Sequence, residues 1–447
     1  MRTILVILCA IGFTLGATGP AFADGAPGGG DIQVAQTLGE RELTVVIRRI
    51  EPVPGRVHVD VVTHAGSPAG ELKLWLSTNG ARFSDTTVRL GEKPGFHTGT
   101  LAVSGPGPWE LAVDDGEQVA TIPFVVPARV MSPWQNAAYG GFVAAGLLLL
   151  VSLVVALRKG GTAALVPAAG MVAALAVAVT AALLSASIPP LKAPGSELDP
   201  TYDTVTDPHA NAQSTMDYSR PAVNVVATLE RNDLRLAITD GSTGRPVDDI
   251  LVHDNALVHL GVVSPSGRLW HLHPIRVGPG DYRARLVAPE QGVYAVAAEL
   301  ARRGGGRQLA RTSIALEAAD GATNEPATVA LDRKVGPAGT PSTITARFGE
   351  QDLQPWLGML GHMIVVGPIT TNAASAPIWA HVHSMTPPTP GLPDRPDESV
   401  AAFGPNVPFT YTFPLPGRYL VWVQAERGYQ VLTVPAVIDV PAQEEQR

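Results

Sequence analysis

The sequence predicts a mainly β protein: three immunoglobulin-like antiparallel β-sandwiches, with a two-helix transmembrane hairpin after the first. Three observations carry this prediction. Apolar and polar residues alternate in short runs broken by Gly, Pro and Asn. Two charge-free stretches, each reaching the roughly 20 residues that span a bilayer, interrupt that pattern. Three landmarks then recur in the same order in the second half of the chain. The 40 prolines and 46 glycines therefore read as turn residues between strands, not as a sign of disorder.

The elements follow in chain order. Residues 1–23 carry Arg2, an apolar run from Ile4 to Leu15 and a small-residue exit at Ala21-Phe22-Ala23, the pattern of a secretory signal peptide. The sole cysteine, Cys9, lies inside it, so the exported product is expected to have no thiol and no disulfide, and any metal must be held by His, Met, carboxylate or backbone groups. Residues 42–127 contain the alternating runs "ELTVVIRRI", "RVHVDVVTH", "ELKLWLST", "GTLAVSG", "WELAVDD" and "QVATIPFVV", which predict an N-terminal extracytoplasmic sandwich. Residues 137–157 and 162–188 form the transmembrane hairpin. Its short loop holds Arg158 and Lys159, which places the loop in the cytoplasm and both large flanks outside. Gly141 with Ala145, and Gly170 with Ala174, have the four-residue spacing of small side chains that lets membrane helices approach. Residues 189–219, rich in Pro, Asp, Ser and Thr, read as an extended linker.

Beyond the linker lies an internal repeat. "HLGVV" from His259, "HLHP" from His271 and "PEQGVYAV" from Pro289 in the first copy correspond to "HMIVV" from His362, "HVHS" from His381 and "PLPGRYLV" from Pro414 in the second. With flanking strand-like runs this gives about seven strands per copy and predicts two tandem sandwiches, residues 220–319 and 325–440, with Tyr294 matching Tyr419.

The histidines follow from this register. A hairpin centred on Ser266 pairs Gly261 with His271 and His259 with His273, so three imidazoles share one face while Val258, Leu260, Val262, Trp270 and Leu272 take the core face. A hairpin centred between Asn372 and Ala373 likewise sets His362 opposite His383, beside His381. Each triad is a plausible site for copper or, as the alternative, zinc, and the two sites are expected to be equivalent. Met385, like Met359, is an additional candidate ligand whose thioether would favour Cu(I). Against this stands the plain alternative of half-exposed strand histidines that bond locally. His58, beside Arg56 and Asp60, reads as solvated. His64 and His97 remain open, and His253 is either an accessory ligand or a loop residue.

The ordered segments "LQPWLGMLGHMIVV", "WAHVHSM" and "FTYTFPLPGRYLVWVQ" resemble a domain of extracytoplasmic bacterial proteins linked to copper and other heavy metals. The second copy carries the resemblance best. The first keeps the family's His-x-His-Pro ending at His271 to Pro274, whereas the second has Ser384. "GFHTGTLAVSGPGPWELAV" is similar to the small YtkA-like β-sandwich domains associated with copper handling and respiratory-enzyme assembly. The resemblance implies a location at the plasma membrane of a bacterium, with the N- and C-terminal domains extracytoplasmic.

The functional expectation is a membrane-anchored binding protein for copper or a similar transition metal, serving storage, delivery or resistance. Any protein partner in delivery is unknown from the sequence. A formal charge of −8 without a basic stripe argues against a nucleic-acid partner. Catalysis is not expected, since no nucleophile elbow, phosphate loop or paired-carboxylate signature is present. The rival expectation is a non-catalytic scaffold or adhesion ectodomain in which the histidines are incidental.

Overall fold

Period-two alternation governs which side chains are buried. Leu72, Leu74 and Leu76 are fully buried, while Glu71 and Lys73 on the opposite face are exposed. Each buried leucine contributes about 1.5–3 kcal/mol, so a strand of this pattern holds one face inward and not the other. The computed structural model describes residues 31–48, 53–126, 133–159, 161–187, 221–303, 305–317, 331–349, 352–386 and 398–443. The predicted signal peptide and the linker at 189–219 lie outside the described residues. The sheets belong to one compact unit and the helical hairpin to another.

The N-terminal sandwich has strands β1 (Ile32–Leu38), β2 (Arg41–Ile47), β3 (Gly55–Thr63), β4 (Gly70–Thr78), β5 (Ala81–Leu90), β6 (Gly95–Val103), β7 (Gly107–Asp114) and β8 (Val119–Val126). Two antiparallel sheets, β1-β2-β3-β6 and β5-β4-β7-β8, share one core. Strand β1 precedes the start expected at residue 42. Its inner face is Val34, Gln36 and Leu38, and the polar Gln36 within that face obscures the alternation.

The helices are α1 (Pro133–Lys159) and α2 (Leu165–Ser187), each long and apolar enough to cross a membrane. Leu147, Leu150, Leu153, Val172 and Leu183 are exposed on them. They pack against each other where the small-residue spacing predicts. A Cβ added to Gly141 would lie 2.9 Å from the Ala178 Cβ and 3.0 Å from the Ala174 carbonyl oxygen, so only glycine permits this approach.

The first C-terminal repeat comprises β9 (Val223–Glu230), β10 (Asp233–Asp240), β11 (Ile250–Leu251), β12 (Val258–Val263), β13 (Leu269–Leu272), β14 (Ile275–Gly278), β15 (Asp281–Arg285), β16 (Gly292–Arg302) and β17 (Gly306–Leu316). The second comprises β18 (Leu331–Lys334), β19 (Pro341–Arg347), β20 (Met359–Gly367), β21 (Ile378–Met385), β22 (Asn406–Thr412), β23 (Gly417–Arg427) and β24 (Gln430–Val440). Their histidine-bearing sheets have the same order, β13-β12-β16-β17 and β21-β20-β23-β24. The opposing sheets correspond as β9-β10-β15 and β18-β19-β22, with β14 and the short β11 as additions to the first repeat. Tyr294 and Tyr419 occupy the same place, each hydroxyl donating to the carbonyl four residues earlier, Glu290 at 3.0 Å and Leu415 at 2.8 Å.

The two histidine-bearing sheets pack face to face. Val263 and Ala295 from the first repeat join Ile364, Val366 and Trp422 from the second in a separate apolar cluster. A Cβ on Gly261 would lie 3.3 Å from the Trp379 ring, so the glycine in "HLGVV" makes room for a tryptophan of the other repeat. The N-terminal sandwich joins the same junction through β1. Ala35 N donates to Asn255 O and Thr37 N to His273 O, both at 2.7 Å.

Candidate metal centre

Both predicted hairpin registers are present. Gly261 pairs with His271 and Val263 with Leu269, while His362 pairs with His383 and Ile364 with His381. Val258, Leu260 and Val262 are buried in the core, with Trp270 and Leu272 packed against it. The first triad, His259, His271 and His273, and the second, His362, His381 and His383, each bring three ring nitrogens within 4.8 Å of one another.

The histidine face is not a half-exposed surface, because the opposite repeat covers it: His259, His273 and His362 are buried, and the His381 and His383 side chains are 9% and 14% exposed. Nor are the triads independent, since rings from opposite repeats touch. The centroids of His259 and His381 are 5.1 Å apart, and those of His271 and His381 4.9 Å. The sheet faces that carry the histidines are the faces the repeats bury against each other.

Hydrogen bonding fixes the tautomers. His271 Nδ1 donates to Gln424 Oε1 at 2.9 Å, and the amide is oriented by its Nε2 donating to Thr433 Oγ1 at 2.9 Å. His273 Nδ1 donates to Glu42 Oε1 at 2.6 Å, His259 Nε2 to the His253 carbonyl at 3.0 Å, and His381 Nδ1 to Glu299 Oε2 at 3.2 Å. A neutral imidazole has one N–H, so each remaining nitrogen presents a lone pair. Those nitrogens, His259 Nδ1 and the Nε2 atoms of His271, His273 and His381, are buried without a hydrogen-bond partner among the described residues. The same is true of His383 Nε2 and of both nitrogens of His362.

Electrostatics disfavour the charged form of four of the rings. Burial, followed by the neighbouring imidazoles, holds His259, His271 and His362 well below the ordinary histidine value. Burial and then His381 bring His383 down to about 2. Burial alone would raise the Glu299 carboxyl, but His253 and His381 beside it overcome that and hold it far below the carboxylate range.

The other candidates separate. Met385 is 63% exposed at the end of β21, two and four residues after His383 and His381, whose side chains are 14% and 9% exposed. Met359, opposite it in the ladder, is buried. His253 is buried beside His259, with Nε2 3.2 Å from Asp254 Oδ2 and Nδ1 receiving a hydrogen bond from Arg307. His58 is exposed, and His97 is half-buried near Thr63. His64 is buried, with Nδ1 2.5 Å from Glu426 Oε1 across the junction with the second repeat. Burial works against its charged form, yet the Glu426 hydrogen bond raises its pKa above the ordinary value.

Three supporting residues were missed from sequence: Glu42, Glu299 and Gln424. The repeat contains a signal for two of them, because Glu299 lies opposite His259 in the sheet and Gln424 lies opposite His362. Their roles cross between repeats, Gln424 holding His271 and Glu299 holding His381. Trp356 closes the group, its ring 4.7 Å from His362 and 5.4 Å from His271.

A family model described as a domain of unknown function (DUF8832) matches residues 322–442, the second repeat. Among curated proteins no relative matches the sequence. Solved structures with similarity include a tetra-tandem repeat from the extending region of a large adhesion protein, 11% identical, covering 92% of this chain and 83% of that one with a TM-score of 0.16. A two-domain fibronectin type-III segment of chicken tenascin is 15% identical, covering 49% of this chain and 99% of that one with a TM-score of 0.15.

Proposed function

We propose that this chain is a membrane-anchored extracytoplasmic binding protein for a transition metal, with copper or zinc as its cargo. One observation carries the reading: four buried imidazoles are each hydrogen-bonded through one nitrogen to a carbonyl or carboxylate oxygen, while the other nitrogen offers a lone pair to the cluster interior. Metal-bound histidines are oriented and made more basic in this way. An unpartnered buried nitrogen costs about 1–3 kcal/mol, a cost that a bound cation removes. Imidazole donors suit Cu(II) and Zn(II).

Titration of the full chain in detergent with Cu(II) and Zn(II), beside the double variant His381→Ala/His383→Ala, tests this. The wild type should retain metal that the variant loses. Equal stoichiometry and affinity in the two proteins would overturn the reading in favour of a scaffold with incidental histidines.

A further inference from the structure

The cross-repeat contacts constrain how two ions would sit. A metal bonded to a ring nitrogen at about 2.0 Å lies roughly 3 Å from that ring's centre, so ions held by His271 and His381 would be no more than about 11 Å apart. His381 touches rings of both triads, with centroids 5.1 Å from His259, 5.2 Å from His362 and 4.5 Å from His383. His271 also lies 5.8 Å from His362. Beside His259, His271 and His381 is a cavity of about 30 Å³, lined also by Glu299, Ile364 and Trp379 and large enough for one water molecule.

Charge and support are shared in the same way. Neutral imidazoles leave two divalent ions uncompensated, and the acidic groups around the cluster come from different parts of the fold: Glu42 from β2, Glu299 from β16, and Asp254, whose Oδ2 is 3.6 Å from His383 Nδ1. Neither repeat supplies all the acceptors to which its own histidines donate. We propose that the six histidines form one dinuclear centre, built across the interface between the repeats, which takes two imidazole-preferring transition-metal ions near enough to interact magnetically. This rests on the metal-binding reading above and adds that the two triads are one site.

The test is electron paramagnetic resonance of the full chain in detergent, loaded with Cu(II). At two equivalents the spectrum should show dipolar broadening and a half-field transition. Dilution with Zn(II), about one Cu(II) in ten metals, should restore the narrow spectrum of isolated Cu(II) in the same protein, a control that requires no variant to fold. The combined variant His362→Gln, His381→Gln and His383→Gln should hold one equivalent with an unbroadened spectrum. Binding of two equivalents whose undiluted spectrum equals the diluted one, or saturation of the wild type at a single equivalent, overturns the dinuclear centre while leaving metal binding intact. Absence of retained Cu(II) overturns both.

Discussion

Replacing His362 with leucine should make the metal-free protein more stable and the metal-loaded protein relatively less so. The His362 ring is fully buried, and neither nitrogen has a hydrogen-bond partner among the described residues. Each unsatisfied buried polar atom costs about 1–3 kcal/mol, and leucine, of similar volume, carries no such atom. The loss of the edge-on contacts with Trp356 at 4.7 Å and His383 at 5.1 Å offsets about 0.5–1.5 kcal/mol each. The net expectation is a gain of about 2 kcal/mol, or roughly 2 °C in Tm for a protein of this size. With metal at 100 times its Kd the wild type gains about 2.7 kcal/mol per site, so the order of stability should reverse. Thermal unfolding of both proteins in detergent, after chelation and again with Zn(II), measures this. A leucine variant less stable than the chelated wild type by 1 kcal/mol or more would refute the claim that the imidazole is held there at a cost to the fold.

Other outcomes can be checked with the same protein. Glu42→Gln removes the carboxylate from His273 and should weaken metal binding about 10–100-fold by titration, although Glu42 lies in the N-terminal sandwich. Stability of the metal-free protein should fall on both sides of neutrality. The buried histidines, with folded values below the ordinary one, contribute fully above pH 6.5 and lose stability as the pH falls below it. Glu398, raised to about 7 by burial and by Glu426, contributes fully below its unfolded value of 4.5 and loses on the order of 3 kcal/mol as the pH rises through 7. Denaturant midpoints across pH should therefore fall less steeply on the alkaline side in Glu398→Gln, with His64, also raised, keeping part of the slope. Tyr294→Phe and Tyr419→Phe should each cost about 1 kcal/mol in chemical denaturation, since the two hydroxyls make equivalent bonds.

Much of the local structure was legible in the sequence because a period of two and a short turn fix which residues face each other. "SPSGR" is enough to set Gly261 against His271, and the core face of β12 follows at once. The meeting of the repeats was not legible. It depends on a face that reads as polar, His259 with Gly261, being covered by Trp379 and His381 from residues more than a hundred positions away. The two tryptophans illustrate the difficulty. Trp270 directly precedes His271 and turns into the core against Tyr294, whereas Trp379 stands two before His381 and therefore shares its face toward the other repeat. Strand β5, "ARFSDTTVRL", escaped notice because most of its side chains are exposed or half-buried and its apolar period is faint.

The exchange of supporting residues between repeats bears on how such a protein could arise. Equivalent histidines, with Glu299 and Gln424 at equivalent positions reaching across to the opposite copy, are what a two-fold symmetric homodimer would display if its two subunits were later fused. Fusion replaces a concentration-dependent encounter with a tethered one, at an effective concentration on the order of millimolar. It also frees the two positions to diverge, one to a carboxylate and one to an amide, so that a symmetric ancestor's identical halves can carry different charge within a single gene.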